Sequence, residues 1–181
     1  SLVCALAYTG GPFPLAHHGL GDVFVLVFFG HFAVLGTAWI QVAPLAAWDP
    51  QGALIGLPGA WWIAATAVGL QAAAILCVNN IRDRITDARV GKRTLAVRLG
   101  DRGGRILYAL MQGVAAVCWI VLAWTWTPWL AIPAGLATVG GALLCYGVAR
   151  TNGAALNGYL ARSAGLEVIT GLSATVVLAT L

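Results

Sequence analysis

Asn79, Asp83 and Asp87 recur every fourth residue in the stretch NNIRDRITDARVGKRTLAVRLG, residues 79–100. On a helix this spacing stacks all three side chains on one face. Two carboxylates one turn apart, with an amide oxygen behind them, suit a hard cation such as Mg2+. That ion takes oxygen ligands, keeps several waters and is commonly completed by substrate phosphates. The alternative is a helix end laced by Asp–Arg pairs at i, i+4, worth about 0.2–0.5 kcal/mol each. Asp83 has no such partner, because the fourth residue after it is Asp87. The two anions therefore repel unless a cation lies between them. Asn80 and Arg82 flank the row, and the following loop carries Lys92, Arg93 and Arg98, cations of the kind that hold the remaining oxygens of a polyanion. Gly91 is expected to stop the helix, Thr94 to cap a short new one, Gly100 to end that, and Asp101 to cap the next long helix.

A second polar segment, YTGGPFPLAHHGLGD at residues 8–22, reads as a structured turn built on its glycines and prolines. Tyr8, His17 and His18 are its candidate substrate contacts. The plainer reading of the histidines is a solvated pair. Asp22 is expected to be the N-cap of the helix that follows.

The elements that must position these groups are membrane helices. The 181 residues are 60% hydrophobic and only 9% charged, against about 25% charged in a soluble domain. Apolar runs of about 20 residues, the length that spans the hydrocarbon core, fall at 22–42, 59–78, 103–125, 128–149 and 163–181. Alternation of period two is absent, which argues against a transmembrane barrel. The fold class is all-α, a multi-pass transmembrane helical bundle in a single membrane domain. Residues 1–7 form an apolar run too short to span, and are expected to be the end of a helix that begins in a longer protein.

All ten Lys and Arg residues flank the same ends of these spans, and the opposite loops carry none. By the positive-inside rule that end is cytoplasmic. The net charge of +4 is therefore a topology signal that also favours anionic lipid headgroups, and not a sign of nucleic acid. Trp39, Trp48, Trp61, Trp62, Trp124, Trp126 and Trp129 fall near the other end, as an aromatic belt does; Trp119 lies deeper. The cysteines are single and scattered, as small buried apolar residues are. His31, Gln41, Gln71, Gln112 and Glu167 are costly in lipid and should face the bundle interior, with Glu167 close enough to the basic end to pair with an arginine.

The stretch at 79–100 resembles the second aspartate-rich motif of the UbiA superfamily of intramembrane prenyltransferases. Both it and the YTGGPFPLAHHGLGD loop are similar to the branch that prenylates 1,4-dihydroxy-2-naphthoate in menaquinone synthesis. The resemblance implies a bundle of nine helices, of which this chain would hold the last five and the end of a fourth, in a bacterial inner membrane with the reactive end cytoplasmic. It implies transfer of a polyprenyl chain from its diphosphate to the naphthoate, with Mg2+ as cofactor. Asn79, Asp83 and Asp87 would hold the metal and diphosphate, with Asp83 and Asp87 catalytic. Asn80, Arg82, Lys92, Arg93, Tyr8 and His18 would bind substrate. Prenyl transfer to 4-hydroxybenzoate or homogentisate is the alternative within the superfamily; a membrane transporter or scaffold is the alternative outside it. The earlier NDxxDxxxD motif of the superfamily is absent from these residues, so the chain by itself is expected to lack transferase activity.

Overall fold

The computed structural model describes residues 19–42 and 58–180. Among them all regular structure is helical, as the apolar spans require, since hydrocarbon offers no partner to an unpaired backbone group. Five helices are long and apolar enough to cross a bilayer. The first, α1, runs through an α-helical turn, Gly21–Val25, a π-helical stretch, Leu26–Phe32, and a second α-helical piece, Ala33–Val42. Then come α2 (Gly59–Arg89), α3 (Leu95–Thr125), α4 (Ala131–Arg150) and α5 (Leu156–Ala179). Short 3-10 turns, Pro128–Leu130 and Gly153–Ala155, lead into the last two. Three of the helices outrun the apolar spans at the charged end. Hydropathy marks only the part of a helix that meets lipid, whereas the backbone hydrogen bonds continue into water.

The helices α2, α3, α4 and α5 pack in chain order into a ring that α5 closes against α2, and α1 lies outside the ring on α2. Small side chains make α2 the hub: Ala65, Ala67, Ala73 and Ala74 are fully buried, and such residues let neighbouring backbones approach closely where water gives no hydrophobic drive. The backbones of α1 and α2 approach closely, so that a Cβ on Gly30 would lie 2.7 Å from the Cα of Gly69.

Between two apolar layers of the core sits a polar one. Gln71 of α2 accepts hydrogen bonds on Oε1 from Trp119 Nε1 of α3 and from Thr170 Oγ1 of α5, each 3.2 Å. The Tyr108 hydroxyl meets Ser163 Oγ at 2.9 Å and accepts from Gln112 Nε2 at 3.2 Å. His31 Nε2 meets Thr66 Oγ1 at 3.3 Å, joining α1 to α2. Trp119 is thus a core residue bonded to Gln71 and not part of the belt, whose Trp124 and Trp129 are exposed. Gln41 departs from expectation: it is exposed at the end of α1 instead of facing the bundle interior.

Candidate active site

The 31 residues of α2 span about 46 Å at 1.5 Å each, more than the hydrocarbon core of about 30 Å. Its C-terminal turns therefore stand clear of the apolar span, and Asn79, Asp83 and Asp87 ride them on one face. Arg82 serves this row from within. Its Nε donates to Asp83 Oδ1 at 2.7 Å and its Nη2 to Asn79 Oδ1 at 2.8 Å. Nη2 also reaches Asp83 Oδ2, and Nη1 donates to Asn157 Oδ1 at the start of α5. Hydrogen bonding from the Arg82 guanidinium holds the Asp83 carboxyl below the usual carboxylate range.

The same residues that end α2 bring in the second cation. Gly91 adopts φ +75°, a left-handed conformation that glycine takes at little cost. The turn is a Schellman motif: Gly91 N–H donates to the Ala88 carbonyl at 3.2 Å and Lys92 N–H to the Asp87 carbonyl at 2.9 Å. That reversal lays the Lys92 side chain back over the row, where Nζ donates to Asp87 Oδ2 at 3.1 Å. The repulsion expected between Asp83 and Asp87 is therefore relieved inside the chain. Asp83 takes its partner at i−1 and Asp87 at i+5, positions that an i, i+4 count does not inspect.

Beyond the turn, Thr94 caps the next helix by accepting from Val97 N–H at 3.3 Å, and Gly100, at φ +74°, breaks that first turn from the long run of α3. Asp101 does not act as the cap that its position suggested. Arg105 engages its carboxylate, with Nε to Oδ2 at 2.7 Å, while reaching across to Asn152 Oδ1 and the Val148 carbonyl. Arg93 is exposed, and among the described residues its part in the site is a backbone one: its carbonyl accepts from Arg98 Nε at 3.2 Å. Tyr8, His17 and His18 lie outside the described residues.

Asn80 is buried and faces away from the row, into a small cavity of about 20 Å3 that it shares with Lys92, Thr94 and Asp22; the space suffices for one water. Asp22 is not the N-cap that its position suggests. It lies inside the first turn of α1, with Leu20 in the cap position, and is only 3% exposed, with Oδ1 lacking a hydrogen-bond partner among the described residues. Nothing in its flanking glycines distinguishes a capping aspartate from a buried one.

On the membrane side of Asn79 opens a groove of about 360 Å3 between α1, α2 and α5, walled by Val25, Phe29, Ile75, Leu76 and Leu160 with Glu167 deeper in. The arginine expected for Glu167 is not there; Arg162 instead lies over the Tyr159 ring, 5.1 Å from its centre. Among the described residues no three His, Cys, Asp or Glu side chains gather into a metal-holding group, so the oxygen row consists of two carboxylates and one amide. Arg82 and Asp83 keep 25% and 33% of their side-chain exposure, so solvent screens the pair and its net worth is small. The arrangement sets two carboxylates and an amide, held by two cationic side chains, above an apolar groove, a candidate site for an anionic headgroup.

Residues 1–162 match the UbiA prenyltransferase family. A 1,4-dihydroxy-2-naphthoate octaprenyltransferase of Haemophilus influenzae is 42% identical over 123 residues, 68% of this chain and 36% of the relative. The Mycobacterium tuberculosis protein of the same name is 42% identical over 147 residues, 81% of this chain and 45% of the relative. A UbiA prenyltransferase domain-containing protein 1 of Danio rerio is 34% identical over 132 residues, 73% of this chain and 35% of the relative. The chain thus spans between about a third and a half of the length of these relatives. No solved structure matches it. With a family match over most of its length and five helices able to cross a bilayer, this integral membrane chain belongs to the UbiA prenyltransferase family.

Proposed function

We propose that this chain forms one wall of the diphosphate site of a prenyltransferase that moves a polyprenyl chain from its diphosphate to 1,4-dihydroxy-2-naphthoate, a step of menaquinone synthesis. The observation that carries the reading is the Asn79–Asp83–Asp87 row with Arg82 and Lys92 on its oxygens, set at the mouth of an apolar groove. The names of the naphthoate octaprenyltransferase relatives favour that acceptor over 4-hydroxybenzoate or homogentisate.

The donor set fits Mg2+: Asn79, Asp83 and Asp87 offer only oxygen, and each already has a positively charged group hydrogen-bonded to it. When bound, the ion supplies positive charge against the charge that develops on the leaving diphosphate. Arg82 and Lys92 then pass from the carboxylates to phosphate oxygens, the fork of Arg82 being suited to two at once. The apolar walls below Asn79 keep water away from the reaction. The allylic carbon–oxygen bond breaks, its electron pair leaves with diphosphate, and the electron-rich ring forms the new carbon–carbon bond with loss of its carboxyl as carbon dioxide. The basic end faces the cytoplasm of a bacterial inner membrane, where Arg93 and its neighbours meet anionic headgroups.

Calorimetric titration of a polyprenyl diphosphate into the chain in lipid nanodiscs tests this. Binding should require Mg2+, and Asp83→Asn or Asp87→Asn should weaken it at least about tenfold, since each removes a charge-assisted contact. Binding that is indifferent to Mg2+ and to both substitutions would abandon prenyl transfer in favour of a transporter or scaffold.

A further inference from the structure

Glu167 is a carboxyl group set into a membrane helix, 11 positions into α5 from Leu156, or about three turns. It is half-buried and among the described residues has no hydrogen bond or ion pair for its side chain. Arg150 and Arg162, at the ends of α4 and α5 nearest to it, lie over rings, Arg150 over Tyr146 and Arg162 over Tyr159. An ionisable side chain facing lipid is costly, and its neighbours in the groove, Val25, Phe29, Ile75 and Leu160, offer it no polar partner. Among the described residues, the only other polar side chain lining the groove is Asn79, the first member of the oxygen row.

We propose that Glu167 binds the aromatic acceptor by taking a hydrogen bond from a ring hydroxyl, which seats the ring in the groove below Asn79. The assignment rests on the prenyl-transfer reading above and adds to it a residue outside the aspartate-rich motif. Charge selects the occupant. A diphosphate is an anion and is repelled by this carboxylate, and a hydrocarbon chain gives it nothing to bond. A hydroxyl on an aromatic ring supplies both the donor that Glu167 lacks and the flat apolar body that the walls accept. The acceptor's own carboxylate then points away from Glu167, toward the end that carries Arg82 and Lys92.

The test is equilibrium dialysis of the chain in nanodiscs against 1,4-dihydroxy-2-naphthoate, its 1,4-dimethoxy analogue and a polyprenyl diphosphate. Glu167→Leu should weaken binding of the diol about tenfold, the usual cost of losing a hydrogen bond to a charged group. Glu167→Gln keeps an acceptor oxygen at nearly the same volume and should cost only about threefold. The dimethoxy analogue should bind the three chains alike, and so should the prenyl diphosphate. The inference is overturned if Glu167→Leu binds the diol as tightly as the parent, or if the dimethoxy analogue suffers the same loss, which marks a packing role. Tighter binding of prenyl diphosphate by Glu167→Leu also overturns it, because the groove then belongs to the hydrocarbon tail. A parent chain that binds prenyl diphosphate but not the diol refutes this inference alone; one that binds neither refutes the prenyl-transfer reading itself.

Discussion

Alanine at Gly69 would place a Cβ 2.6 Å from the Leu26 carbonyl oxygen and 2.9 Å from the Cα of Gly30. Alanine at Gly30 would place one 2.5 Å from the Ala65 oxygen and 2.7 Å from the Cα of Gly69. A carbon seldom approaches a carbonyl oxygen more closely than about 3.3 Å, so α1 must back away from α2 by most of an ångström. The clashing atoms are backbone, and no rotamer change relieves them. Overpacking of this sort costs about 1–3 kcal/mol, while alanine returns up to about 1 kcal/mol of helix propensity. Gly36 lies in the same helix, and a Cβ there meets nothing within 4 Å, so Gly36→Ala collects the propensity alone. The difference between the two substitutions isolates the packing term, about 1–3 kcal/mol. Denaturant titration of helicity in mixed micelles reads it directly. Because α1 contributes Val25 and Phe29 to the groove, Gly69→Ala should also loosen binding of any ligand lodged there. If Gly69→Ala and Gly30→Ala prove as stable as Gly36→Ala, the close helix contact is absent and the groove wall is misplaced with it.

Gln71→Leu removes the acceptor of both Trp119 and Thr170 and should cost about 0.6–1.7 kcal/mol, the range for hydrogen bonds between membrane helices; unchanged stability together with an unshifted Trp119 emission would refute the network. Asp83 has its carboxyl held low by Arg82, so its ionised form adds stability above the unfolded value near 4. That stability disappears as pH falls through the lower folded value; a stability transition of the ligand-free chain centred near pH 6 that Asp83→Asn abolishes would contradict it. The 181-residue chain lacks NDxxDxxxD and should show no turnover with Mg2+, naphthoate and polyprenyl diphosphate. Fusion to the part of the Mycobacterium tuberculosis relative that lies outside the match should restore it, and product formed by the chain alone would refute the requirement for a second aspartate wall.

The sequence by itself determined that the chain is helical and lies in a membrane, which end of the bundle is charged, and that Asn79, Asp83 and Asp87 share a face. These are local properties: hydropathy over some 20 residues and a period of 3.6 suffice to read them. Gly91 and Thr94 were legible for the same reason, since a left-handed turn and a helix cap are decided within a few residues. The motifs also named the family, which residues 1–162 match.

Tertiary structure alone decided how the groups are paired and which of them share a cavity. Arg82 lies along the row because its far nitrogen is anchored by Asn157, 75 residues away. Asp22 is buried because α1 lies against α2, and Gln71 finds Trp119 and Thr170 on two different helices. Glu167 opens into the groove of Asn79 instead of meeting an arginine because α5 closes the ring against α2. A helical period states which residues share a face and leaves open what that face meets. The rotation of each helix about its axis is set by contacts between side chains distant in sequence, such as the backbone approach at Gly30 and Gly69, and that rotation decides whether a polar side chain is buried, paired or left open to a substrate.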